Sequence, residues 1–328
     1  MLSTTKGGIP IDVRLSPDEW ARELRDEAVA GLSSTPKELA PTWFYDDRGS
    51  ELFEDITRLA EYYPTRAERA ILAARAHDIA VASQADTLVE LGAGTSQKTR
   101  ILLDAMQEVG RLERFVPFDV AEPTLRATAE AIAEEYPTLD VHAVVGDFRR
   151  HLHAIPTEGR RMIAFLGGTI GNLRPNERAG LLGELASTMQ PGDSLLLGTD
   201  LVKNRGRLVA AYDDATGVTA EFNKNVLRVL NRELGANFDL DGFEHVAIFD
   251  DENEWIEMRL RSRADQTVEV PVLGLTLRFS RGEDLRTEIS AKFRLERVRA
   301  ELAAAGLEMT NWWTDPAGDY ALSLAFRP

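Results

Sequence analysis

The chain has 328 residues, of which 44% are apolar and 28% are charged, and this composition is ordinary for a globular protein with a large core and either two domains or one elaborated domain. Its 54 acidic residues outnumber the 38 basic ones, and because a net charge of −16 repels phosphate backbones, we expect no nucleic-acid partner. Cysteine is absent from the sequence, which excludes disulfides and thiol chemistry. The sequence has neither an apolar run of membrane-spanning length nor a signal-peptide pattern, so we expect a cytoplasmic protein without a membrane partner.

The N-terminal part of the chain predicts a loose leader and then helices. Residues 1–15 form the leader, and Ser16, Pro17 and Glu19 have the order of a helix start: N-cap, first turn and capping carboxylate. A loop rich in aromatic residues follows at 41–50. The predicted helices cover residues 16–32, 50–59 and 65–82.

A nucleotide-binding corner is predicted next. Residues 87–91 are a short apolar run that fits a strand buried in a parallel sheet, with Glu90 as its acidic member. Gly92 and Gly94 follow at once, and glycine allows both a sharp turn and a close approach of the backbone to a ligand. A helical pattern then starts at Thr95 or Ser96, and either residue fits an N-cap. A strand, a glycine turn and a helix start are together typical of nucleotide binding.

This corner differs from two phosphate-binding motifs at the positions where each needs a glycine. The dinucleotide fingerprint and the phosphate loop both require glycine where Gln97 stands. A ligand without phosphates has no such requirement, and an acidic residue in the first strand followed by Gly-x-Gly is typical of the S-adenosylmethionine corner of class I methyltransferases. A tight turn without a ligand remains the alternative at this point.

From residue 87 to residue 200 strands and helices alternate, which predicts a parallel, doubly wound sheet with right-handed crossovers. The predicted strands cover residues 87–91, 114–119, 139–145, 161–166 and 193–199. The predicted helices cover residues 96–108, 122–135 and 174–189. Ligands of such sheets bind at the carboxyl ends of the strands.

Acidic residues stand at the ends of two of these strands: Asp119 is the last residue of one, and Asp147 comes shortly after the other. The Asp119 carboxylate can accept hydrogen bonds from both hydroxyls of a ribose, and the Asp147 carboxylate can accept one from the amino group of an adenine. The Phe148 ring can stack on the adenine ring. Each acid alone is more often a turn or cap residue. Because they stand with Glu90 at the ends of successive strands, we favour an adenosine site.

Residues 201–285 interrupt the alternation. A helix over 217–234 is followed by three strand-like runs whose alternation predicts an antiparallel meander. These runs cover residues 243–250, 254–263 and 267–279. A helix over 290–305 and a hairpin of residues 309–314 and 320–326 then complete the sheet. We therefore predict an α/β fold with a class I, Rossmann-like methyltransferase sheet (residues 1–200 and 286–328) and an inserted α+β substrate-binding domain (residues 201–285).

Seven blocks of the sequence closely resemble the bacterial histidine-specific Nα-methyltransferases of ergothioneine biosynthesis. They lie at residues 43–46, 61–66, 90–96, 165–172, 210–214, 287–290 and 312–315. The resemblance extends from about residue 16 to the end of the chain. It implies that S-adenosyl-L-methionine donates three methyl groups to the α-amine of L-histidine. The products would be S-adenosyl-L-homocysteine and Nα,Nα,Nα-trimethylhistidine (hercynine).

The resemblance also implies which residues bind the ligands. S-Adenosylmethionine would be held by Gly92, Lys98, Asp119, Asp147 and Phe148. The α-carboxylate and amine of histidine would be surrounded by Tyr62, Asn172 and Tyr212, with Tyr45 and the backbone of Gly167 beside the amine. The imidazole would be held by Glu288 and Ser290, and the pocket lined by Phe53 and Met258. Gly168 stands where relatives also have serine, a difference that should not disturb the site.

We assign the catalytic roles to Tyr45 and Asn172, which would orient the amine and receive or relay its proton. Glu288 and Ser290 point to the same side if they lie on a strand. Alternatively, Ser290 caps the following helix and Glu288 is a solvated acid. The five histidines have no metal-ligand spacing, so we expect no metal, and we expect a monomer.

Three other functions remain open from the sequence. The acceptor could be another amino acid or a small amine on the same fold. Residues 92–99 could be a degenerate phosphate loop that binds a nucleoside triphosphate. The chain could also bind S-adenosylmethionine as a sensor, without turnover.

Overall fold

The computed structural model describes residues 2–3 and 8–328, and the chain divides into two compact units. The first, which we call the sheet unit, contains Met1–Ser16, Pro64–Val202 and Phe293–Pro328. The second, which we call the inserted unit, contains Pro17–Tyr63 and Lys203–Lys292.

Both units combine helices with strands. The helices, in chain order, are α1 (Pro17–Leu32), α2 (Asp47–Arg58), α3 (Pro64–Ser83), α4 (Thr99–Glu108), α5 (Glu122–Glu135), α6 (Pro175–Thr188), α7 (Arg205–Ala210), α8 (Val218–Leu234) and α9 (Leu295–Ala304). The strands are β1 (Leu2–Ser3), β2 (Ile11–Val13), β3 (Lys37–Glu38), β4 (Thr87–Leu91), β5 (Arg114–Asp119), β6 (Asp140–Val141), β7 (Ala143–Val145), β8 (Arg161–Phe165), β9 (Ser194–Asp200), β10 (Phe243–Asp250), β11 (Trp255–Ser262), β12 (Gln266–Val270), β13 (Leu275–Phe279), β14 (Asp284–Ala291), β15 (Glu308–Thr314) and β16 (Tyr320–Phe326). Within the described residues, no helix combines the length and the apolar character needed to cross a membrane.

The sheet unit is built on one large sheet with the strand order β1-β2-β7-β5-β4-β8-β9-β16-β15, and β6 pairs with β5. The strands from β2 to β9 in this order run parallel, whereas β16 is antiparallel to both β9 and β15. The predicted parallel, doubly wound sheet and its closing antiparallel hairpin are therefore confirmed. All residues of β4, β8 and β9 are buried, as expected for strands covered on both faces.

Local details of the sheet unit differ from the predictions. Part of the expected leader is ordered as β2, which pairs in parallel with β7, while its residues 1 and 4–7 lie outside the described part of the chain. The strand expected over 139–145 is divided into the short strands β6 and β7. The predicted helix over 290–305 is wrong at its start, because residues up to Ala291 belong to β14 and the helix α9 begins at Leu295. Strand pairing with β11 extends to Ala291 and overrides the local capping signal.

The inserted unit has a sheet of its own, with the order β10-β11-β14-β3, and a separate hairpin of β12 and β13. The hairpin replaces the single strand expected over 267–279, because a turn at Pro271–Leu273 and Gly274 separates its two strands. Helix α8 packs against the sheet. The core contains Leu24, Trp43, Phe44, Phe222, Val226, Leu230, Phe243, Ile256 and Leu285.

The division of the chain into compact units differs from the predicted domain boundaries. Residues 17–63 belong to the inserted unit, because Leu24 and Phe44 are buried in its core and β3 pairs with β14. The unit also extends to Lys292 rather than to residue 285, since β14 is its third sheet strand.

Candidate active site

The turn after β4 has the geometry that its glycines predict. Gly92 and Gly94 have φ values of +72° and +50°, in the left-handed region that favours glycine. The Gly92 and Ala93 amides donate to the Phe118 carbonyl at 2.8 and 3.1 Å, which fixes the turn against the neighbouring strand. A Cβ atom added at Gly92 or Gly94 would have no heavy atom within 4 Å, so the protein leaves space beside both residues. This open turn fits a ligand that approaches the backbone closely.

Glu90 supports this turn from inside the sheet. The residue is 4% exposed, and its carboxylate accepts hydrogen bonds from the Ser96 hydroxyl at 2.7 Å and from the Thr99 hydroxyl. Burial raises the pKa of Glu90 to about 7, although both hydrogen bonds oppose that shift. The predicted N-cap at Thr95 or Ser96 is wrong, because α4 begins only at Thr99 and the Ser96 hydroxyl bonds Glu90 instead.

Asp119 joins the end of β5 to the same turn. Its two carboxylate oxygens accept from the Gly94 amide at 2.9 Å and from the Ala121 amide at 2.9 Å. Burial raises the pKa of Asp119, and these backbone hydrogen bonds oppose the shift. A carboxylate has about four lone-pair sites, so it can accept further hydrogen bonds from a ligand.

Asp147 and Phe148 follow β7, the next strand in the sheet. The Asp147 carboxylate accepts from the Arg149 amide at 2.8 Å and pairs with the Arg149 guanidinium at 2.8 Å. The half-buried Phe148 ring packs edge-on against Phe165, with a centroid distance of 5.1 Å and an interplanar angle of 65°. Because β4, β5 and β7 are parallel neighbours, Gly92, Asp119 and Asp147 lie at the same edge of the sheet.

Lys98 is joined to the end of β8 through Glu68, a residue to which the sequence pattern assigns no ligand-site role. Its ammonium pairs with Glu68, which is fully buried. The Glu68 carboxylate also accepts from the Gly167 amide at 2.8 Å and from the Tyr320 hydroxyl at 2.9 Å. Glu68 therefore connects two of the predicted ligand-binding positions. In the sequence, Glu68 stands three residues after Thr65, a spacing that predicts a capping role at a helix start rather than this one.

The segment after β8 contains the other predicted positions of the sheet unit. Gly167 and Gly168 have φ values of +75° and +73°, which reverse the chain before the 3-10 turn Thr169–Asn172. The half-buried Asn172 side chain forms no hydrogen bond with another residue in the described part of the chain. Its amide can therefore serve a ligand as donor and acceptor.

A series of edge-to-face rings brings together four predicted residues of the inserted unit. Tyr45 and Phe53 have centroids 5.6 Å apart, Phe53 and Tyr62 are 6.2 Å apart, and Tyr62 and Tyr212 are 6.2 Å apart. Their interplanar angles of 70–78° are those preferred by interacting aromatic rings.

Tyr212 continues this series to the polar end of β14. Its hydroxyl lies 2.7 Å from the Ser290 hydroxyl, and both oxygens accept from the Lys292 ammonium, at 3.0 and 2.9 Å. Lys292 is fully buried and was not identified from the sequence. A lysine one residue beyond a strand has no local feature that distinguishes it from a solvated one.

Glu288 lies on β14 opposite Met258 of β11. Its side chain forms no hydrogen bond among the described residues, although the residue is only 9% exposed. Burial raises the pKa of the Glu288 carboxyl to about 8, and the charge of Lys292 opposes that shift. Because β14 is a strand at this point, Glu288 and Ser290 share one face, as the strand alternative predicted.

The predicted residues thus form two groups, one in each unit. The group in the sheet unit contains Gly92, Lys98, Asp119, Asp147, Phe148, Gly167 and Asn172. The group in the inserted unit contains Tyr45, Phe53, Tyr62, Tyr212, Met258, Glu288 and Ser290. In the described part of the chain, no group of three or more His, Asp or Glu side chains is arranged to hold a metal ion.

The strand order, the closing antiparallel hairpin and the open glycine turn define the chain as a class I methyltransferase. The family model for SAM-dependent, histidine-specific methyltransferases matches residues 24–327. The chain belongs to this family.

Three curated relatives are similar to the chain. Histidine N-alpha-methyltransferase of Mycolicibacterium smegmatis is 60% identical over 313 residues, which cover 95% of this chain and 98% of the relative. The protein of the same name from Mycobacterium tuberculosis is 59% identical over the same shares. Ergothioneine biosynthesis protein 1 of Neurospora crassa is 30% identical over 88% of this chain, which corresponds to 33% of that longer protein.

Proposed function

We propose that the chain transfers three methyl groups from S-adenosylmethionine to the α-amine of L-histidine, giving hercynine in the first step of ergothioneine biosynthesis. Membership of the histidine-specific family and the names of the three relatives support the substrate and the pathway. The observation that carries the proposal is the buried Glu288 carboxyl, which has no hydrogen-bond partner among the described residues and shares a strand face with Ser290.

The sheet unit would bind the methyl donor. When bound, S-adenosylmethionine supplies a methyl group that is already activated for displacement by an amine. The open turn at Gly92 and Gly94 accommodates a ligand close to the backbone, which is the observation that fits this compound. Asp119 can accept hydrogen bonds from the ribose hydroxyls, and Asp147 can accept one from the adenine amino group. The Phe148 ring can stack on the adenine.

The inserted unit would determine specificity for the acceptor. Glu288 can accept a hydrogen bond from an imidazole N–H, and Ser290 can donate to the other ring nitrogen or accept from it. A site whose buried polar groups need partners rejects analogues that lack them, by a factor of about 10⁴–10⁵ in the best cases. Glu288 therefore favours histidine over phenylalanine or tryptophan.

The reacting amine has to be neutral and well oriented. Free α-amines titrate near pH 8, and burial favours the neutral form. A strong general base is therefore not required: Asn172 and Tyr45 suffice to orient the amine, and the Tyr45 hydroxyl can relay to solvent the proton that the methylated ammonium loses before the next transfer. Orientation of this kind can contribute about 7–11 kcal/mol to lowering a barrier.

The proposal is tested by mass spectrometry of an equimolar mixture of the protein amino acids incubated with the chain and S-adenosylmethionine. We expect trimethylated histidine as the product. In the Glu288→Ala variant we expect at least a tenfold rise in the histidine KM, because the imidazole N–H loses its hydrogen-bond partner in a buried site. Selectivity against phenylalanine and tryptophan should fall at the same time.

Two outcomes would contradict the proposal. One is a wild-type product other than methylated histidine, and the other is a Glu288→Ala variant that retains full discrimination. A Tyr45→Phe variant tests the proton relay separately: unchanged rates for all three methyl transfers would remove Tyr45 from the mechanism.

A further inference from the structure

We propose that Lys292 is a positioning residue for the substrate imidazole and acts through the hydroxyl groups of Ser290 and Tyr212. The inference rests on the proposed function, since it concerns how the amino-acid site of that reaction is held in place. Lys292 itself is assigned no contact with substrate.

The geometry around Lys292 is a closed triangle of polar atoms. Its Nζ atom lies 2.9 Å from Ser290 Oγ and 3.0 Å from Tyr212 Oη, and these two oxygens are 2.7 Å apart. The ammonium also lies 4.6 Å from the centroid of the Tyr212 ring, within the range of a cation–π interaction. All three residues are buried, and Lys292 completely so.

The chemistry of the three groups restricts how the Ser290 hydroxyl can be used. An ammonium group only donates hydrogen bonds, so both Ser290 Oγ and Tyr212 Oη must accept from Lys292. If Tyr212 also donates to Ser290, the Ser290 hydrogen remains for a ligand that accepts. If Ser290 donates to Tyr212 instead, one Ser290 lone pair remains for a ligand that donates.

This restriction gives Lys292 a specific role. A serine hydroxyl without fixed neighbours can rotate among its staggered positions, and its direction is lost as a source of selectivity. In the triangle, the position and the direction of the Ser290 hydroxyl are set by two partners. The backbone amide of Lys292 donates to the Glu254 carbonyl at 2.7 Å, which anchors the lysine beside the end of β14.

The charge of Lys292 also acts on Glu288, four positions earlier in the chain. It opposes the burial that raises the pKa of the Glu288 carboxyl. Glu288 and Ser290 are the two predicted imidazole partners, so one buried cation influences both.

The test is the Lys292→Met variant, which keeps an apolar chain of similar length and removes the ammonium. We expect the histidine KM to rise about tenfold, the loss typical of hydrogen bonds to a charged group. The kcat should change by less than about threefold, because the lost interaction is made equally in the ground state and in the transition state. The S-adenosylhomocysteine Kd, measured by calorimetry, should remain that of the wild type.

A double-mutant cycle with Ser290→Ala separates positioning from general destabilisation. If Lys292 acts through Ser290, the double variant has a histidine KM no higher than that of Ser290→Ala alone. Additive effects would overturn the role, because they would show that the two residues act independently.

Lys37→Met is the matched control. Lys37 also lies over an aromatic ring, at 4.8 Å from the Phe279 centroid, and bonds one oxygen partner, Glu283 at 2.5 Å. It stands beside Leu285, five residues from Ser290 along β14, or about 17 Å at the usual strand rise. We expect its histidine KM to stay within about twofold of the wild-type value.

Because loss of a buried cation can impair folding, Lys292→Gln serves as the second variant, with two amide hydrogens that can replace part of the donor set. We expect its KM to lie above that of Lys37→Met and at or below that of Lys292→Met. A KM as low as that of Lys37→Met in either Lys292 variant overturns the role of Lys292 alone. A wild-type protein without histidine turnover would instead overturn the proposed function, and the role of Lys292 with it.

Discussion

At the scale of single residues, Glu288 differs from the other buried carboxyls near the predicted site. Glu68 and Glu90 are both bonded to several donors. Glu288 has none among the described residues. A buried polar group without a partner costs about 1–3 kcal/mol, and a ligand that donates to it recovers that free energy. The unpaired carboxyl is thus the feature that most directly supports an imidazole-binding site.

The raised pKa of Glu288 predicts how stability depends on pH in the ligand-free protein. The folded-state pKa is about 8 because burial disfavours the charged form, whereas the ordinary value is 4.5. The protonated form therefore stabilises the folded state fully below the ordinary value, and this contribution is lost as the pH rises through about 8. We expect Glu288→Gln to raise the Tm at pH 9 by several degrees, with a difference that shrinks toward pH 5.

Differential scanning calorimetry across that pH range measures this effect. The control is Glu51→Gln, an exposed position on α2, for which we expect a pH-independent Tm difference close to zero. A Glu288→Gln variant whose Tm difference does not grow with pH would contradict the assigned burial.

The glycine turn makes a second prediction at the residue scale. Gly94→Ala places a methyl group in the space that a ligand would use, and the positive φ costs about 1–2 kcal/mol. We expect S-adenosylhomocysteine affinity to fall at least tenfold.

Gly110→Ala provides the matched control, since Gly110 also has a positive φ of +75° and open surroundings but follows α4 at the far end from the turn. Both variants should lose similar stability, and only Gly94→Ala should lose ligand affinity. Equal affinities by calorimetry would argue against an adenosine ligand at this turn.

Candidate site residues could be singled out from the sequence where they stand at the end of a strand. Asp119 and Asp147 could be singled out because they follow apolar runs, and a parallel sheet gathers such ends at one edge. Glu68 and Lys292 could not, because their partners are distant in the chain: Glu68 meets Gly167 and Tyr320, and Lys292 meets Tyr212. Their roles depend on tertiary contacts that leave no local pattern.

At the scale of elements, β14 shows why the predicted helix start was wrong. Ser290 has the residue type of an N-cap, and local propensity alone favours that role. In the structure β14 pairs with β11 on one side and β3 on the other, and these pairings decide its conformation. The pairing also contains an irregularity between Met258 and Arg259, next to Thr287 and Glu288.

A buried polar network lies beside this irregularity in the β11–β14 pairing. The Thr287 hydroxyl lies 2.5 Å from Asn223 Oδ1 and 3.0 Å from the Met258 carbonyl. The Asn223 amide lies 2.8 Å from His245 Nδ1, and His245 Nε2 lies 2.7 Å from the Tyr212 carbonyl. The network therefore connects the backbone of Tyr212 to the strand that carries Glu288.

We predict that Thr287→Val destabilises the protein and weakens histidine binding. Valine keeps the shape and removes the hydroxyl, which leaves a buried amide oxygen without that donor, at a cost of about 1–3 kcal/mol. The Tm should fall by several degrees and the histidine KM should rise, because Met258 and Glu288 flank the irregularity.

Thr276→Val on β13 is the control for this substitution. Its hydroxyl bonds Glu269 on the exposed side of the hairpin at 2.6 Å. We expect a stability change within about 0.5 kcal/mol and an unchanged KM. Equal effects of the two threonine substitutions in thermal unfolding and in KM would contradict the role of the network.

At the scale of the whole molecule, the sheet could be predicted and the boundary of the inserted unit could not. Alternating strand and helix patterns predict a parallel sheet, and the right-handedness of the crossovers restricts its topology to a few arrangements. The assignment of residues 17–63 depends on a core shared with α8 and on the pairing of β3 with β14. Contacts between segments so far apart in the chain have no signature in either segment alone.

The two groups of predicted residues belong to different units, each with its own hydrophobic core. Ligands that bind the folded state stabilise it by mass action, by about 2.7 kcal/mol at a hundredfold excess over the Kd. Both S-adenosylhomocysteine and histidine are therefore expected to raise the Tm, whereas ATP should not.

The most direct test of the account is a crystal structure of the protein with S-adenosylhomocysteine and L-histidine. We predict the adenosine at the turn of Gly92 and Gly94, its ribose hydroxyls on Asp119, and the imidazole within hydrogen-bond distance of Glu288 and Ser290. Density for the adenosine elsewhere, or an imidazole without contact to Glu288, would contradict the account.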